Sequence, residues 1–150
     1  MFRTDNGGKA IRIDDAKLIT TQMASTWNTR LSQIGTNNLK DKKVIICTYS
    51  LPDLEYSEQI FDKRSKNVIL VANEKFKVKA DELKAKYPDL TIHLKEDIHA
   101  KIVLVEPETV WLSSANFGKS GWFEHTIGIH SKEAYSFYLQ QIEKHLGIIL

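Results

Sequence analysis

A chain of 150 residues, 42% hydrophobic and 27% charged, is long enough to bury one real core, and its composition excludes a disordered, fibrous or repetitive protein. Twenty-one Lys and Arg against 19 Asp and Glu leave a net charge of +2, so no whole-molecule field recruits a polyanion, although a local patch is free to do so. The single cysteine, Cys47, excludes an internal disulfide. The start "MFRTDNGGKAIRIDD" lacks the apolar core of a signal peptide, and runs such as "VIIC" and "VILVA" are too short to cross a bilayer, so the expectation is a cytoplasmic protein off the membrane.

No linker or internal repeat divides the chain, so residues 1–150 are expected to form a single domain with residues 1–8 flexible. From Asp14 to Gln33, Leu18, Ile19, Met23, Trp27 and Leu31 recur at three- and four-residue spacing, which predicts a helix capped by Asp14 or Asp15 and ended by "GTNN". "KVIICTYS" predicts a buried strand, "DLEYSEQIFDKRSK" a helix, "NVILVAN" a strand, "KFKVKADELKAKYPD" a helix stopped near Pro88, and "LTIHLKE" a strand. This alternation favours right-handed crossovers and a mostly parallel sheet. The pattern then changes. "HAKIVLVE" and "VWLSSAN" read as a hairpin around "PET", and "FEHTIGIHS" as a further strand. "KEAYSFYLQQIEKHLG" closes as a helix with Ala134, Phe137, Tyr138, Ile142 and Leu146 on one face. The expected fold class is α/β, a mixed, mostly parallel sheet flanked by helices.

Chemistry gathers between residues 99 and 124. A strand places residues two apart on one face, so His99 and Lys101 are expected to point the same way. The hairpin brings Ser114 and Asn116 back beside them, and Glu124 shares a face with Thr126 on the next strand. One sheet end could thus collect an imidazole, an ammonium, a hydroxyl, a carboxamide and a carboxylate. Imidazole can attack phosphorus or move protons near neutral pH. Ammonium, hydroxyl and amide donors can hold phosphate oxygens and the charge that builds on them.

His99, Lys101, Glu106, Ser113, Ser114 and Asn116 follow the spacing H-x-K-x4-acid-x6-S-S-x-N, which resembles the HKD signature of the phospholipase D superfamily. That signature reads H-x-K-x4-D-x6-G-S-x-N, so Glu106 stands where Asp is usual and Ser113 where Gly is usual. The element order also resembles the small single-motif nucleases of that superfamily over about residues 14–146. The resemblance implies a metal-independent phosphodiesterase, a nuclease working through a phosphohistidine. Because the chemistry needs two H-x-K units and one is present, it implies a homodimer with a shared active site. It implies catalytic roles for His99, Lys101, Ser114 and Asn116, with Glu124 bonded to His99, and structural roles for Glu106 and Ser113. No cofactor and no metal is expected, since one cysteine and scattered histidines lack ligand spacing.

Partners follow from the basic and aromatic residues. Lys75, Lys77, Lys79 and Lys119 are candidates for phosphate-backbone contact and Trp122 for base stacking, so nucleic acid, DNA before RNA, is the expected substrate. Each has a plainer reading as well: the lysines as a solvated helix face, Trp122 as core, Glu124 as a surface carboxylate. Two other functions stay open. One is a catalytically weak or inactive nucleic-acid-binding module on the same fold, which the Glu106 and Ser113 departures motivate. The other is a phospholipid phosphodiesterase, ranked lower because no extended amphipathic element is present.

Overall fold

The computed structural model describes the backbone of residues 16–22 and the whole of residues 41–150. The strands are β1 (Ala16–Gln22), β2 (Val44–Thr48), β3 (Val68–Asn73), β4 (Thr91–Lys95), β5 (Ile102–Val105), β6 (Thr109–Ser113) and β7 (Phe123–His130). The helices are α1 (Leu54–Phe61), α2 (Lys77–Lys86) and α3 (Lys132–Leu146), with a short 3-10 turn, Glu74–Phe76, leading into α2. Among the described residues the strands form one sheet in the order β1-β7-β6-β5-β2-β3-β4.

Strand β2 explains the architecture. All five of its residues are buried, as expected of a central strand covered on both faces. Alternation then splits its side chains between two cores. Val44 and Ile46 join Leu70, Val103, Ile60, Phe61 and Leu83 on one face, under α1 and α2. Ile45 and Cys47 join Val71, Leu104, Ile129 and Ile142 on the other, under α3. Caps set where the helices start. Asp53 accepts from Tyr56 N at 3.1 Å to open α1, and Ser131 accepts from Ala134 N at 3.1 Å to open α3. Gly147, at φ 72°, ends α3 in the left-handed conformation that glycine adopts without a Cβ penalty.

Two expectations are corrected. The sheet is mixed, but it is not mostly parallel: β2–β3 and β3–β4 are parallel, while β2–β5, β5–β6, β6–β7 and β7–β1 are antiparallel. The α/β alternation governs the chain only as far as β4; consecutive strands then pair antiparallel in β5–β6 and β6–β7, and the antiparallel pairs β2–β5 and β7–β1 join strands distant in sequence. The helix expected over Asp14–Gln33 is a strand across Ala16–Gln22, paired with β7 from Ala16↔Ile129 to Gln22↔Phe123. Residues 1–15 and 23–40, and with them the Asp14 or Asp15 cap, Met23, Trp27, Leu31 and the expected flexible start, lie outside the described residues. No helix among the described residues is long and apolar enough to cross a membrane.

Candidate active site

The site lies where the parallel strands β2 and β3 end, the edge at which open α/β sheets bind ligands. The chain leaves β4 through Glu96–Ile98, and Asn73, the last residue of β3, holds this segment. Its buried amide donates to Glu96 O at 2.7 Å and to Ile98 O at 3.1 Å, and its oxygen accepts from Lys75 N at 3.1 Å. His99 therefore leaves a fixed point. It and Lys101 precede β5 instead of lying on it, because regular pairing starts at Ile102. Lys101 O still accepts from Ser113 N at 3.1 Å, so the hairpin register extends to Lys101.

His99 is exposed. Its ring lies against Tyr49, centroids 5.1 Å apart, and Tyr49 in turn meets Phe76 edge-on at 5.4 Å. Lys101 Nζ lies 3.1 Å from His99 Nδ1 and donates to His99 O at 2.7 Å. An ammonium only donates, so Nδ1 accepts and Nε2 carries the proton of the neutral ring. Partial burial lowers the Lys101 pKa, against the opposing pull of Glu124 and of Cys47 beneath it. Burial also pushes the Cys47 thiol up to about 12, partly offset by the charge of Lys101, so the sulfur stays protonated and serves as packing.

The second half of the motif wraps the ends of β6 and β7. Ser113 turns its hydroxyl into the sheet, 2.8 Å from Thr126 Oγ1, and accepts from Ala115 N at 3.0 Å. Ser114 Oγ donates to Glu124 Oε2 and accepts from His125 N at 3.0 Å. Ser120 Oγ donates to Glu124 Oε1 at 3.0 Å. The carboxylate that the resemblance pairs with His99 is therefore bonded to Ser114 and Ser120, and it reaches the H-x-K pair through its field at Lys101. Asn116 Oδ1 accepts from Tyr49 N at 3.3 Å, which ties the motif to β2 beside the residue that supports His99. Thr48, fully buried at the end of β2, accepts from Phe117 N at 2.9 Å and donates to Ser50 O at 3.1 Å. Glu106 lies at the opposite end of β5, in the hairpin turn, where Oε2 accepts from Lys43 N at 3.0 Å.

A cleft of about 490 Å³ opens beside this cluster, and Asn116, Lys119, Trp122, Glu124 and Lys79 all line it. Lys79 Nζ donates to Leu51 O at 3.3 Å. Lys75 and Lys77 do not line the cleft: Lys75 sits in the 3-10 turn, and Lys77 is bonded to Asp81 one helical turn on, at 2.8 Å. Sequence reasoning missed Asn73, Thr48, Tyr49 and Ser120. For the first two a signal existed: a lone polar residue closing an apolar strand run needs a buried partner.

Neither a protein-family model nor a curated protein matches the chain. Its fold is similar to solved structures. NucT from Helicobacter pylori superposes with a TM-score of 0.61 at 14% identity, covering 87% of this chain and 94% of that one. Nuc from Salmonella typhimurium, a phospholipase D family member, superposes with a TM-score of 0.64 at 16% identity, covering 87% and 93%. TrmBL2, an archaeal chromatin protein with a novel mode of DNA binding, gives 0.57 at 9% identity, and this chain spans 54% of its length. The chain thus folds as the phospholipase D family member Nuc does.

Proposed function

We propose that the protein is a metal-independent phosphodiesterase of the phospholipase D superfamily that hydrolyses nucleic acid, DNA before RNA, in an active site shared by two copies. The observation that carries this reading is the His99–Lys101 contact of 3.1 Å, set beside the Ser114–Glu124 pair and Asn116 at the strand ends. The fold likeness to a phospholipase D family member and to a DNA-binding chromatin protein supports it.

In this scheme His99 Nε2 attacks phosphorus. The bond to the leaving oxygen breaks, and His99 of the partner subunit, as imidazolium, protonates that oxygen. The same partner imidazole then takes a proton from water as the water displaces His99 from phosphorus, giving a phosphomonoester and the free enzyme. Neither role is compatible with an ammonium seated on Nδ1: the nucleophile needs its proton there, and the acid needs both nitrogens protonated. The arriving phosphodiester supplies the exchange. Its oxygens draw Lys101 away, and Glu124 then accepts from Nδ1–H and fixes the tautomer. Ser114 and Asn116 complete the clamp on the non-bridging oxygens.

The test is cleavage of plasmid, single-stranded DNA and RNA in EDTA by wild type and His99→Ala. Cleavage that the substitution lowers by about three orders of magnitude or more supports the scheme. Binding without cleavage by either protein would assign a non-catalytic module. Sedimentation reads the assembly, and an active, strictly monomeric protein would refute the shared site.

A further inference from the structure

Trp122 exposes 79% of its surface and stands on the wall of the 490 Å³ cleft. Leu51, Tyr56 and Phe117, which are 2%, 6% and 1% exposed, line it as well. The cleft falls in the range of about 300–1,000 Å³ typical of small-ligand sites. Asn116 and Glu124 line it too, so it adjoins the candidate active site, with His99 and Lys101 outside its lining. Lys119 at the rim forms no ion pair among the described residues.

We propose that this cleft is a slot for one unpaired nucleobase, stacked on Trp122, and that it restricts the protein to single-stranded nucleic acid. The placement of the slot next to the cleaved bond rests on the phosphodiesterase reading. An indole face matches the π-face of any base, so the slot is tolerant of sequence. It is not tolerant of pairing. A base inside a duplex is stacked on both faces, with its pairing edge occupied, and reaches such a slot only by leaving the helix. The phosphate that follows the stacked base then lies toward Asn116 and Glu124, and Lys119 meets the backbone on the outer side.

The experiment measures binding in a His99→Ala background, so that nothing is cut. A labelled oligonucleotide, the same strand as a duplex, and the same strand with abasic positions are titrated by fluorescence anisotropy. The strand should bind more tightly than the duplex and the abasic form by between about fivefold and a hundredfold, the range of one base–aromatic stack. Trp122→Ala should bring the strand down to the abasic level, while Trp122→Phe keeps most of its affinity. Phe123→Ala, exposed but outside the cleft, is the control and should change nothing. Equal affinity for duplex and strand, indifference to abasic positions, an equal loss from Phe123→Ala, or a dimer that falls apart on Trp122→Ala would each overturn the slot. Wild-type hydrolysis of bis-p-nitrophenyl phosphate reads the chemistry separately. Hydrolysis without strand selectivity sinks the slot alone; strand-selective binding without hydrolysis sinks the enzyme reading alone.

Discussion

Replacing Asn73 with alanine removes a side chain that hydrogen-bonds the end of β3 to the segment carrying His99. The side chain is 3% exposed and makes three hydrogen bonds, to Glu96 O, Ile98 O and Lys75 N. At about 1 kcal/mol per bond the ceiling is about 3 kcal/mol. Glu96 is exposed, so its carbonyl regains water, whereas the bond to Ile98 O is buried and leaves an orphaned acceptor. About 2 kcal/mol is the expected loss, or a fall in melting temperature of about 4–8 °C for a domain of this size. Urea unfolding followed by circular dichroism gives the free energy, and amide exchange across residues 96–101 should rise before the rest of the sheet opens. Asn73→Asp should be worse than alanine, because it removes both donors and sets a carboxylate against two carbonyl oxygens. An alanine variant within about 0.5 kcal/mol of wild type, or an aspartate variant as stable as wild type, would refute the assignment of Asn73 as the anchor of this segment.

Three further expectations follow from the same geometry. Thr48→Val keeps the shape but strips the acceptor from buried Phe117 N; it should cost about 1–3 kcal/mol in urea unfolding. Gly128→Ala would place a Cβ 2.5 Å from Trp111 Cζ3, and that ring is buried and cannot retreat; overpacking should destabilise by about 1–3 kcal/mol, and a compensating Trp111→Phe should recover part of it. Lys101 has its pKa lowered in the fold, chiefly by burial. Between its folded and unfolded pKa the unfolded chain binds more protons, so stability from this group rises with pH there. The alkaline limb of kcat/KM should accordingly fall below the usual lysine value of 10.5, and Lys101→Arg should move that limb upward if any activity remains.

Local signals made much of this fold legible. The apolar runs of β2 and β3, the Asp53 and Ser131 caps and the glycine after α3 mark elements that depend on near neighbours in sequence. The residues 16–22 were not legible in this way. "AKLITTQ" contains two adjacent apolar residues, Leu18 and Ile19, and three β-branched ones, Ile19, Thr20 and Thr21, a pattern that fits a helix or a strand, and it is pairing with β7, more than a hundred positions along the chain, that decides. The motif spacing pointed to His99, Lys101, Ser114, Asn116 and Glu124, which the fold gathers at one sheet end. The couplings between them were hidden. That Lys101 meets His99 Nδ1, and that Ser114 and Ser120 hold Glu124, depends on loop paths between β4 and β5 and between β6 and β7, where no periodicity constrains the chain. Lys75 and Lys77, candidates for phosphate contact from their basic character, fall in the 3-10 turn and at the start of α2, outside the lining of the cleft.

The reactive cluster is drawn from the ends of β2 and β3, the segment before β5, the end of β6 and the start of β7, so no contiguous fragment carries it. Translation must pass residue 124 and β7 must pair with β6 before the cluster exists. A truncated or partly unfolded population lacks the cluster by construction, and any property that needs the cluster counts only molecules in which these strands have assembled.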